Sequence, residues 1–382
     1  MRVAIVTESF FPTVNGVSNA AGRVTIELER LGHQVLIICP GKGPSTFSST
    51  RVYRVPSAPL PGYSQIPVGI GNAGAWAALS SFNPDVIHLG GPIALGAWGL
   101  TAANQLGVPA VAIFQTDMAA FARHYRVGVA ERIIWRWLRE LHEMAELTLA
   151  PSSSTAMKLR RQGFRKVRIW GRGVDLDTFS PMRRSTPFRT SIAPNGDAIV
   201  GYVGRLAPEK NVSLLKTLKS VDGIQLLIVG EGPEQQKLQR LLPQAHFLGY
   251  QSGQSLAQTY ASLDCFIHTG NHETFCQTIQ EAQASGVPVI APAVGGPLDL
   301  ITHSQTGLLY RPNDRRTLRR HVQWLLDNPG ERERMGRAGA KQVQHRSWLA
   351  LTQELIGHYE DACRMGAGRR HIPDRIAPWE TH

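Results

Sequence analysis

Two basic residues beside a predicted strand are the first candidates for chemistry. Arg205 and Lys210 flank a short turn that follows the apolar segment Ile199–Val203. At the carboxyl end of a parallel strand, such cations are well placed to hold a diphosphate, each through charge-assisted hydrogen bonds of about 1.5–3 kcal/mol. If the diphosphate departs in a reaction, the same charges stabilise the transition state. The plain alternative is a solvated turn in which Glu209 pairs with Lys210.

Two glutamates further along the chain could bind hydroxyl groups. Glu273 and Glu281 have seven residues between them, so on a helix predicted over Glu273–Ala284 both carboxylates can lie near one face. The first could meet a sugar at the helix start, and the second could accept hydrogen bonds from ribose hydroxyls. Two glutamates on an exposed helix face are the commoner alternative.

A third candidate is the loop that follows the first predicted strand, Arg2–Thr7. This loop ends in Asn15-Gly16 before a predicted helix, and a strand–loop–helix turn presents unpaired N–H groups and a positive dipole end to an anion. An ordinary turn explains it equally well. The loop carries no G-x-G-x-x-G series, which weakens a dinucleotide interpretation.

Metal binding is not predicted. Asp175-Leu176-Asp177 resembles a DxD metal motif but falls between the two halves of the chain, where a turn explains it, and no HExxH spacing occurs. The four cysteines lie far apart without a CxxC, which favours small buried thiols in a reduced intracellular protein. We expect no cofactor.

Alternating apolar segments and helical stretches must position these residues. Nearly continuous apolar runs in both halves are typical of parallel strands covered on both faces. The sequence therefore predicts an α/β protein of two Rossmann-like, doubly wound parallel-sheet domains facing a central cleft. The expected boundaries are residues 1–179, a linker at 180–196 rich in Pro, Arg, Ser and Thr, a second domain at 197–345, a helix at 346–365 and a basic tail at 366–382.

Net charge and hydropathy bear on which classes of partner and which cellular location the protein could have. The net charge of +12 and pI of about 9.9 would suit nucleic acid, anionic lipid or phosphorylated small molecules, and charge alone does not decide among them. We find no nucleic-acid-binding module. Since there is neither a signal-peptide core nor an apolar stretch of about 18–20 residues, we expect a cytoplasmic protein that is peripheral at a membrane.

One helix could touch that membrane. Over residues 131–146, the sequence places a basic face opposite an apolar one, and the basic face with its tryptophan suits anionic headgroups at about 1 kcal/mol per cation. A core-packed helix with a solvated basic side is the alternative. An apolar loop at 58–67 is a second candidate. The acceptor or membrane residues we predict are Arg132, Trp135, Arg136, Arg139 and Tyr63.

The second half resembles retaining glycosyltransferases of family four, which have the GT-B fold. The resemblance rests on Gly204-Arg205-Leu206 with Glu209-Lys210-Asn211, Val229-Gly230-Glu231-Gly232-Pro233, the Glu273/Glu281 pair, and Ser285-Gly286-Val287-Pro288-Val289. It extends over nearly the whole chain, and in this fold a final helix returns to the first domain. The segment from His268 to Phe275 looks closest to actinobacterial mannosyltransferases that use GDP-mannose and lipid acceptors. UDP-sugar-dependent sulfoquinovosyl-diacylglycerol synthases are the second most similar group.

Site residues follow from this resemblance. It implies that Arg205 and Lys210 bind the donor diphosphate, that Glu273 contacts the transferred sugar, and that Glu281 contacts the ribose. Further donor contacts that it implies are Gly16, Phe275, Cys276, Gln277, Gly230 and Tyr250. The partners would be a nucleotide-diphosphate sugar, with GDP-mannose favoured, and a lipid-linked acceptor, without nucleic acid.

The chain departs from the family at two places. The family's first-domain loop often carries paired glycines where this chain has Asn15-Gly16, a mild loss because asparagine tolerates a left-handed backbone. Many relatives have, where this chain has Gln115, a histidine that approaches the transferred sugar; Gln115 can hydrogen-bond a hydroxyl but cannot titrate. Asp117 and His124 are nearby candidates, and we choose Asp117 as catalytic, in contact with sugar or acceptor; buried structural roles for all three are the alternative. Three rival functions stay open: a nucleotide-sugar epimerase, a nucleic-acid-binding protein and a non-catalytic nucleotide-sugar sensor. A sensor could dispense with Glu273, which this chain retains.

Overall fold

The protein is described by a computed structural model over residues 1–60, 63–115 and 128–367. These residues divide into two compact units. The first contains Met1–Pro151, Ala156–Trp170 and the described residues from Leu351 on, and the second contains Ser152–Thr155 and Gly171–Ala350.

The first unit is built around an eight-stranded sheet. Its elements are β1 (Arg2–Thr7), α1 (Gly16–Arg30), β2 (Gln34–Pro40), β3 (Thr46–Phe47), β4 (Thr50–Val55), β5 (Ser57–Leu60), β6 (Tyr63–Gly69), α2 (Ala73–Phe82), β7 (Val86–Gly90), α3 (Leu95–Leu106), β8 (Ala110–Ile113), α4 (Gly128–Met144), β9 (Leu147–Ala150), α5 (Ser153–Arg161), β10 (Val167–Ile169) and, after the second unit, α13 (Trp348–Gly366).

The sheet of the first unit has the order β10-β9-β8-β7-β1-β2-β4-β3, and every pair is parallel except β3 with β4. β1 is buried over Val3–Thr7, which explains its apolar run Val3–Val6. β7 is buried over its whole length, including His88. β5 and β6 form a separate antiparallel pair. The chain order reverses between β1 and β7, so the loops after these two strands meet at one edge.

The second unit repeats the design with a six-stranded, fully parallel sheet. Its elements are α6 (Thr186–Ile192), β11 (Ala198–Val203), β12 (Ile224–Val229), α7 (Gln235–Leu241), β13 (His246–Phe247), α8 (Gly253–Ala261), β14 (Cys265–Ile267), α9 (Gln277–Ala284), β15 (Val289–Pro292), α10 (Pro297–Leu300), β16 (Gly307–Tyr310), α11 (Arg315–Asp327) and α12 (Pro329–Val343), with 3-10 turns at Pro181–Arg183, Pro208–Lys210, Val212–Ser220 and Gln344–Arg346.

The strand order of this sheet is β13-β12-β11-β14-β15-β16. β11 lies between β12 and β14, so the order reverses between β11 and β14, and their carboxyl ends are neighbours. Open α/β sheets bind ligands at such a reversal. The two segments that follow these strands carry the principal predicted residues, Arg205, Lys210 and Glu273.

The helix predicted over Glu273–Ala284 is four residues shorter at its start. α9 begins at Gln277, and the residue before it, Cys276, has φ 91° and ψ 70°. A left-handed residue cannot continue a right-handed helix, so Glu273 lies in the preceding loop. The idea that Glu273 and Glu281 share one helix face is therefore wrong.

The segment at 180–196, predicted as a linker, packs on the second unit. It contains α6, and its Arg184 and Arg189 pair with the buried carboxylate of Asp264 at 3.0 and 2.8 Å. Asp264 also accepts a hydrogen bond from the Ile199 N–H at 2.8 Å. Burial raises the pKa of Asp264, but these partners outweigh it and hold the pKa below its ordinary value.

The last described helix, α13, packs within the first unit. The Tyr359 hydroxyl lies 2.6 Å from Nδ1 of His88, and the Trp170 indole donates to the carbonyl of Leu351 at 2.8 Å. Burial lowers the pKa of His88 to about 3, so this histidine is a neutral core residue. Among the described residues, no helix combines the length and apolar character needed to cross a membrane.

Candidate functional site

The candidate site of the second unit lies where the order of its strands reverses. The Gly204–Lys210 turn follows β11, and the loop from His268 to Cys276 follows β14. The hydroxyl of Thr269 donates to the carbonyl of Lys210 at 2.6 Å, which fastens the two segments together. Five side chains from this region, Arg172, Lys210, His268, Glu273 and Cys276, are called the switch-point cluster below.

An ion pair between Lys210 and Glu273 is the centre of the cluster. Lys210 Nζ contacts Glu273 Oε1, and the side chains are only 26% and 16% exposed. Burial raises the pKa of Glu273, but the surrounding positive charges, led by Lys210, hold it below its ordinary value. Burial lowers the pKa of Lys210, but the charge of Glu273 outweighs this and raises it. Both groups are therefore ionised at neutral pH.

Two further side chains surround the carboxylate. Nε2 of His268 lies 3.7 Å from Glu273 Oε1, and burial lowers the pKa of His268, so the imidazole is neutral. Arg172 adds a positive charge that also lowers the pKa of Glu273. Burial lowers the pKa of Arg172 to about 10, which leaves it charged at neutral pH.

Arg205 occupies the outer part of the same turn. Its side chain is 57% exposed, and Nη1 lies 3.9 Å from Glu209 Oε1. The hydroxyl of Tyr202 donates to the Arg205 carbonyl at 3.1 Å and fixes the turn. Glu209 thus lies beside Arg205, while Lys210 pairs with Glu273, contrary to the solvated turn weighed above.

The start of α9 adds backbone donors to the cluster. Phe275 and Cys276 are buried, and the first N–H groups of a helix have no partner within it, so they attract an anion together with the helix dipole. The loop that contains Gly296 approaches the Phe275 backbone closely, and only glycine allows this. A Cβ on residue 296 would lie 1.9 Å from the Phe275 carbonyl oxygen. Gln277 donates to the Gly173 carbonyl at 2.9 Å.

The remaining predicted donor residues of this unit lie along the same sheet. Glu281, on α9, accepts a hydrogen bond from the buried Tyr260 hydroxyl at 3.0 Å. Gly230 follows β12 with φ 127°, and a Cβ there would lie 2.0 Å from the Gly204 carbonyl oxygen. Tyr250 is 60% exposed and donates its N–H to Glu231 at 3.3 Å.

In the first unit, Gly16 begins α1. The side chain of Asn15 accepts from the N–H groups of Val17 and Ser18 at 2.9 and 3.0 Å, so this end is already capped. Asn15 has an extended backbone rather than a left-handed one. An anion at Gly16 would therefore share these donors with the Asn15 amide.

Two predicted residues lie outside what the structure describes. Asp117 falls in 116–127, and the side chain of Tyr63 in β6 is likewise not described. Gln115 follows β8 and is buried.

The residues of the predicted basic face of α4 differ in exposure, and not all of them face solvent. Arg132 and Arg136 are exposed, and Arg139 is half-buried. Trp135, in contrast, is 6% exposed and stacks on Phe114 with ring centroids 6.2 Å apart. The prediction that Trp135 faces a membrane is corrected: it is a core residue. Among the side chains of α4 that the structure describes, residues 131–144, the large exposed apolar ones are Ile133, Trp137 and Met144.

This correction gives a matched pair of mutations. Replacing Trp135 with alanine should lower the free energy of unfolding by about 3–5 kcal/mol, because it leaves a cavity beside Phe114. The same change at Trp137 should cost about 1 kcal/mol or less. Urea unfolding followed by circular dichroism measures both. Equal losses for the two variants would contradict this assignment of the buried face.

Reasoning from sequence missed several residues of the cluster and its surroundings. Arg172 stands in Gly171-Arg172-Gly173, far from Glu273 in the chain, and only packing reveals its role. His268 had a usable signal, since it directly follows β14. In the first unit, the Glu8 carboxylate accepts four N–H groups, those of Ile93, Ala94, Leu95 and Gly96.

Together, the second unit offers two cations and a helix start for a diphosphate, and a carboxylate for hydroxyl groups. That assembly suits transfer reactions in which a diphosphate leaves, because charge on the departing oxygens is met by fixed positive groups.

Comparison with known proteins identifies the family. Residues 14–178 match Glycosyltransferase Family 4, and residues 184–342 match Glycosyl transferases group 1. The chain is 49% identical over 367 residues to a GDP-mannose-dependent alpha-mannosyltransferase of Mycolicibacterium smegmatis, covering 94% of this chain and 97% of the relative. It is 30% identical to a sulfoquinovosyl transferase of Arabidopsis thaliana, covering 93% of this chain and 72% of that one.

Among solved structures, the crystal structure of Anabaena Alr3699/HepE in complex with UDP is similar with a TM-score of 0.77. It shares 18% sequence identity and covers 94% of this chain and 100% of that chain. At this identity the likeness concerns the fold alone.

Proposed function

The chain belongs to glycosyltransferase family 4 and has the GT-B fold, and on this premise we propose that it is a retaining α-mannosyltransferase. The donor is GDP-mannose, and the acceptor is a membrane glycolipid or phosphoinositide-type lipid of the cell envelope. The reaction takes place at the inner face of the membrane and requires no metal.

The buried Lys210–Glu273 pair beside the start of α9 is the observation that carries this proposal. Lys210, Arg205 and the N–H groups of α9 stabilise the departing diphosphate, since all lie at the same sheet edge. Glu273 is ionised and immobilised by its neighbours, and it accepts hydrogen bonds from the transferred sugar. Glu281 likewise accepts hydrogen bonds from the ribose hydroxyls of the donor.

The retaining course is proposed from the resemblance to the family, and the way Glu273 is held bears only on whether this carboxylate acts as a nucleophile. The Glu273 carboxylate pairs with Lys210 and lies near His268 and Arg172. It is a weak nucleophile because these neighbours lower its pKa and compensate its negative charge. We therefore assign no covalent intermediate to it. The departing phosphate oxygen takes the acceptor proton instead, and the acceptor attacks on the face that the diphosphate leaves.

The donor assignment rests on relatives. The GDP-mannose-dependent relative is 49% identical over nearly the full length of both chains. A UDP-sugar-dependent glycolipid synthase is the second candidate, and the 30% identity to a sulfoquinovosyl transferase favours it. The two candidates differ in nucleotide base and sugar, so one experiment separates them.

The lipid acceptor is supported by the surface of α4. Ile133 is 64% exposed and Trp137 is 38% exposed, and Arg132 and Arg136 lie beside them on the same helix. Apolar side chains among arginines suit the boundary of an anionic membrane. Arg136 is partly neutralised by Glu140, 2.9 Å away, so Arg132 is the stronger contact.

Product analysis tests the proposal. The protein is incubated, after chelator treatment, with labelled GDP-mannose and a lipid extract containing phosphoinositides. We expect a mannosylated lipid whose anomeric carbon–proton coupling shows an α linkage. A β product would contradict retention, product only from UDP-sugars would favour the second candidate, and isomerised donor without acceptor would indicate an epimerase.

A further inference from the structure

Three side chains of the switch-point cluster bring metal-ligating atoms together. Sγ of Cys276 lies 3.5 Å from Nε2 of His268, and that nitrogen lies 3.7 Å from Glu273 Oε1. All three donor atoms are within 4.8 Å of one another. Of these three side chains, only that of Glu273 has a task in the proposed transfer reaction, since Cys276 belongs to the donor site only through its backbone.

The spacing can be compared with that of a zinc site. Zinc binds sulfur at about 2.3 Å, and nitrogen and oxygen at about 2.0–2.2 Å, in tetrahedral geometry. Neighbouring ligand atoms around one ion are then about 3.3–3.6 Å apart. The observed 3.5 and 3.7 Å are within a few tenths of this range. The third pair, the Cys276 thiol and the Glu273 carboxylate, is within 4.8 Å, so an ion fits once these two side chains close on it. Thiolate and imidazole also suit a borderline-soft ion better than magnesium or calcium.

The backbone supports a role for the thiol. Cys276 has φ 91°, a left-handed conformation that residues other than glycine adopt rarely. Strained positions of this kind cluster at functional sites, and they persist only where the surroundings hold them. His268 is 4% exposed and Cys276 is 6% exposed, so both ligands are fixed by packing.

We propose that His268, Glu273 and Cys276 form a site for a soft divalent cation such as Zn²⁺, and that the cation and the sugar nucleotide bind in competition. On binding, the thiol proton passes to the buffer and the thiolate forms the metal–sulfur bond. The metal takes Glu273 from Lys210 and leaves one coordination position for water. The competition, unlike the metal site itself, rests on the proposed function of Glu273.

Cobalt(II) tests the site without any turnover. The full chain is titrated with Co²⁺ alone, and the thiolate-to-cobalt charge-transfer absorption is recorded for the wild type, Cys276→Ser and Cys363→Ser. Cys363 is the control, because it is partly exposed in the first unit. We expect the band in the wild type and in Cys363→Ser, and no such band in Cys276→Ser, because serine supplies no thiolate to the metal. Circular dichroism confirms that each variant is folded.

Absence of the band in the wild type, or an undiminished band in folded Cys276→Ser, would overturn the metal site. For the competition, Zn²⁺ should raise the KM for GDP-mannose in the wild type, and at least tenfold more Zn²⁺ should be needed in Cys276→Ser. A cobalt band that GDP-mannose does not displace would overturn the competition alone. Failure of the proposed mannosyl transfer would leave the cobalt result unchanged, so the two failures are distinguishable.

Discussion

Replacing Lys210 with alanine should lower kcat/KM about 100- to 1000-fold, the effect of losing one preorganised donor to a developing negative charge. Lys210 is the innermost cation of the turn after β11, and the mutation removes a contact to the departing diphosphate. It also leaves Glu273 without its closest partner, which should lower the free energy of unfolding by about 3–5 kcal/mol. Steady-state kinetics with GDP-mannose and urea unfolding measure the two effects separately.

The chain offers a matched control. Lys237 pairs with Glu234 on the surface, where its side chain is 62% exposed. Lys237→Ala should change kcat/KM less than twofold, and the free energy of unfolding by about 1 kcal/mol or less. If Lys210→Ala kept wild-type kinetics while Lys237→Ala did the same, Lys210 would have no part in transfer.

Glu273→Gln should lower kcat/KM by about 100-fold, which corresponds to about 2.7 kcal/mol of transition-state stabilisation. The amide keeps the shape of the side chain but loses the charge that orients Lys210 and binds sugar hydroxyls. Glu281→Gln is the comparison, because its carboxylate lies on α9 and accepts a hydrogen bond from Tyr260. That variant should weaken nucleotide binding and change kcat little. A Glu273→Gln enzyme with full kcat would contradict the assigned role.

The same variant should alter the dependence of stability on pH. The pKa of Glu273 is lower in the folded protein than its ordinary value of 4.5. Its contribution is therefore fully present above the unfolded pKa, and it is lost as pH falls through the folded pKa. Urea unfolding between about pH 3 and 7 should show a smaller acid-side loss of stability in Glu273→Gln than in the wild type.

The fold could be predicted from sequence because buried parallel strands are nearly continuous apolar runs, which are easily recognised. Predicted strand Arg2–Thr7 coincides with β1, since a continuous apolar run of this length suits a sheet covered on both faces. The fold class and the family are confirmed by the comparisons. The meeting of the Lys210 turn with the Glu273 loop follows once β11 and β14 are known to be adjacent.

The details that were not predictable depend on tertiary contacts. α4 carries large apolar residues on both sides, so periodicity could not tell that Trp135 is buried and Trp137 exposed. The start of α9 was predicted four residues too early, because nothing about a cysteine indicates the left-handed backbone that Cys276 adopts. Arg172 joins the cluster through packing of segments 100 residues apart, and no local pattern encodes that.

The roles of the site residues remain predictions. Gly16 and Gln277 begin helices, Gly230 follows β12, Tyr250 follows β13, and Glu281 lies within α9.

A titration of the metal-free protein with GDP and with UDP, followed by calorimetry, tests the central claim most directly. We expect that GDP binds at least tenfold more tightly than UDP, and that Lys210→Ala weakens GDP binding about tenfold or more. Tighter binding of UDP would contradict GDP-mannose as the donor. If the folded wild-type protein bound neither nucleotide, the donor site built on Arg205, Lys210 and Glu281 would be refuted.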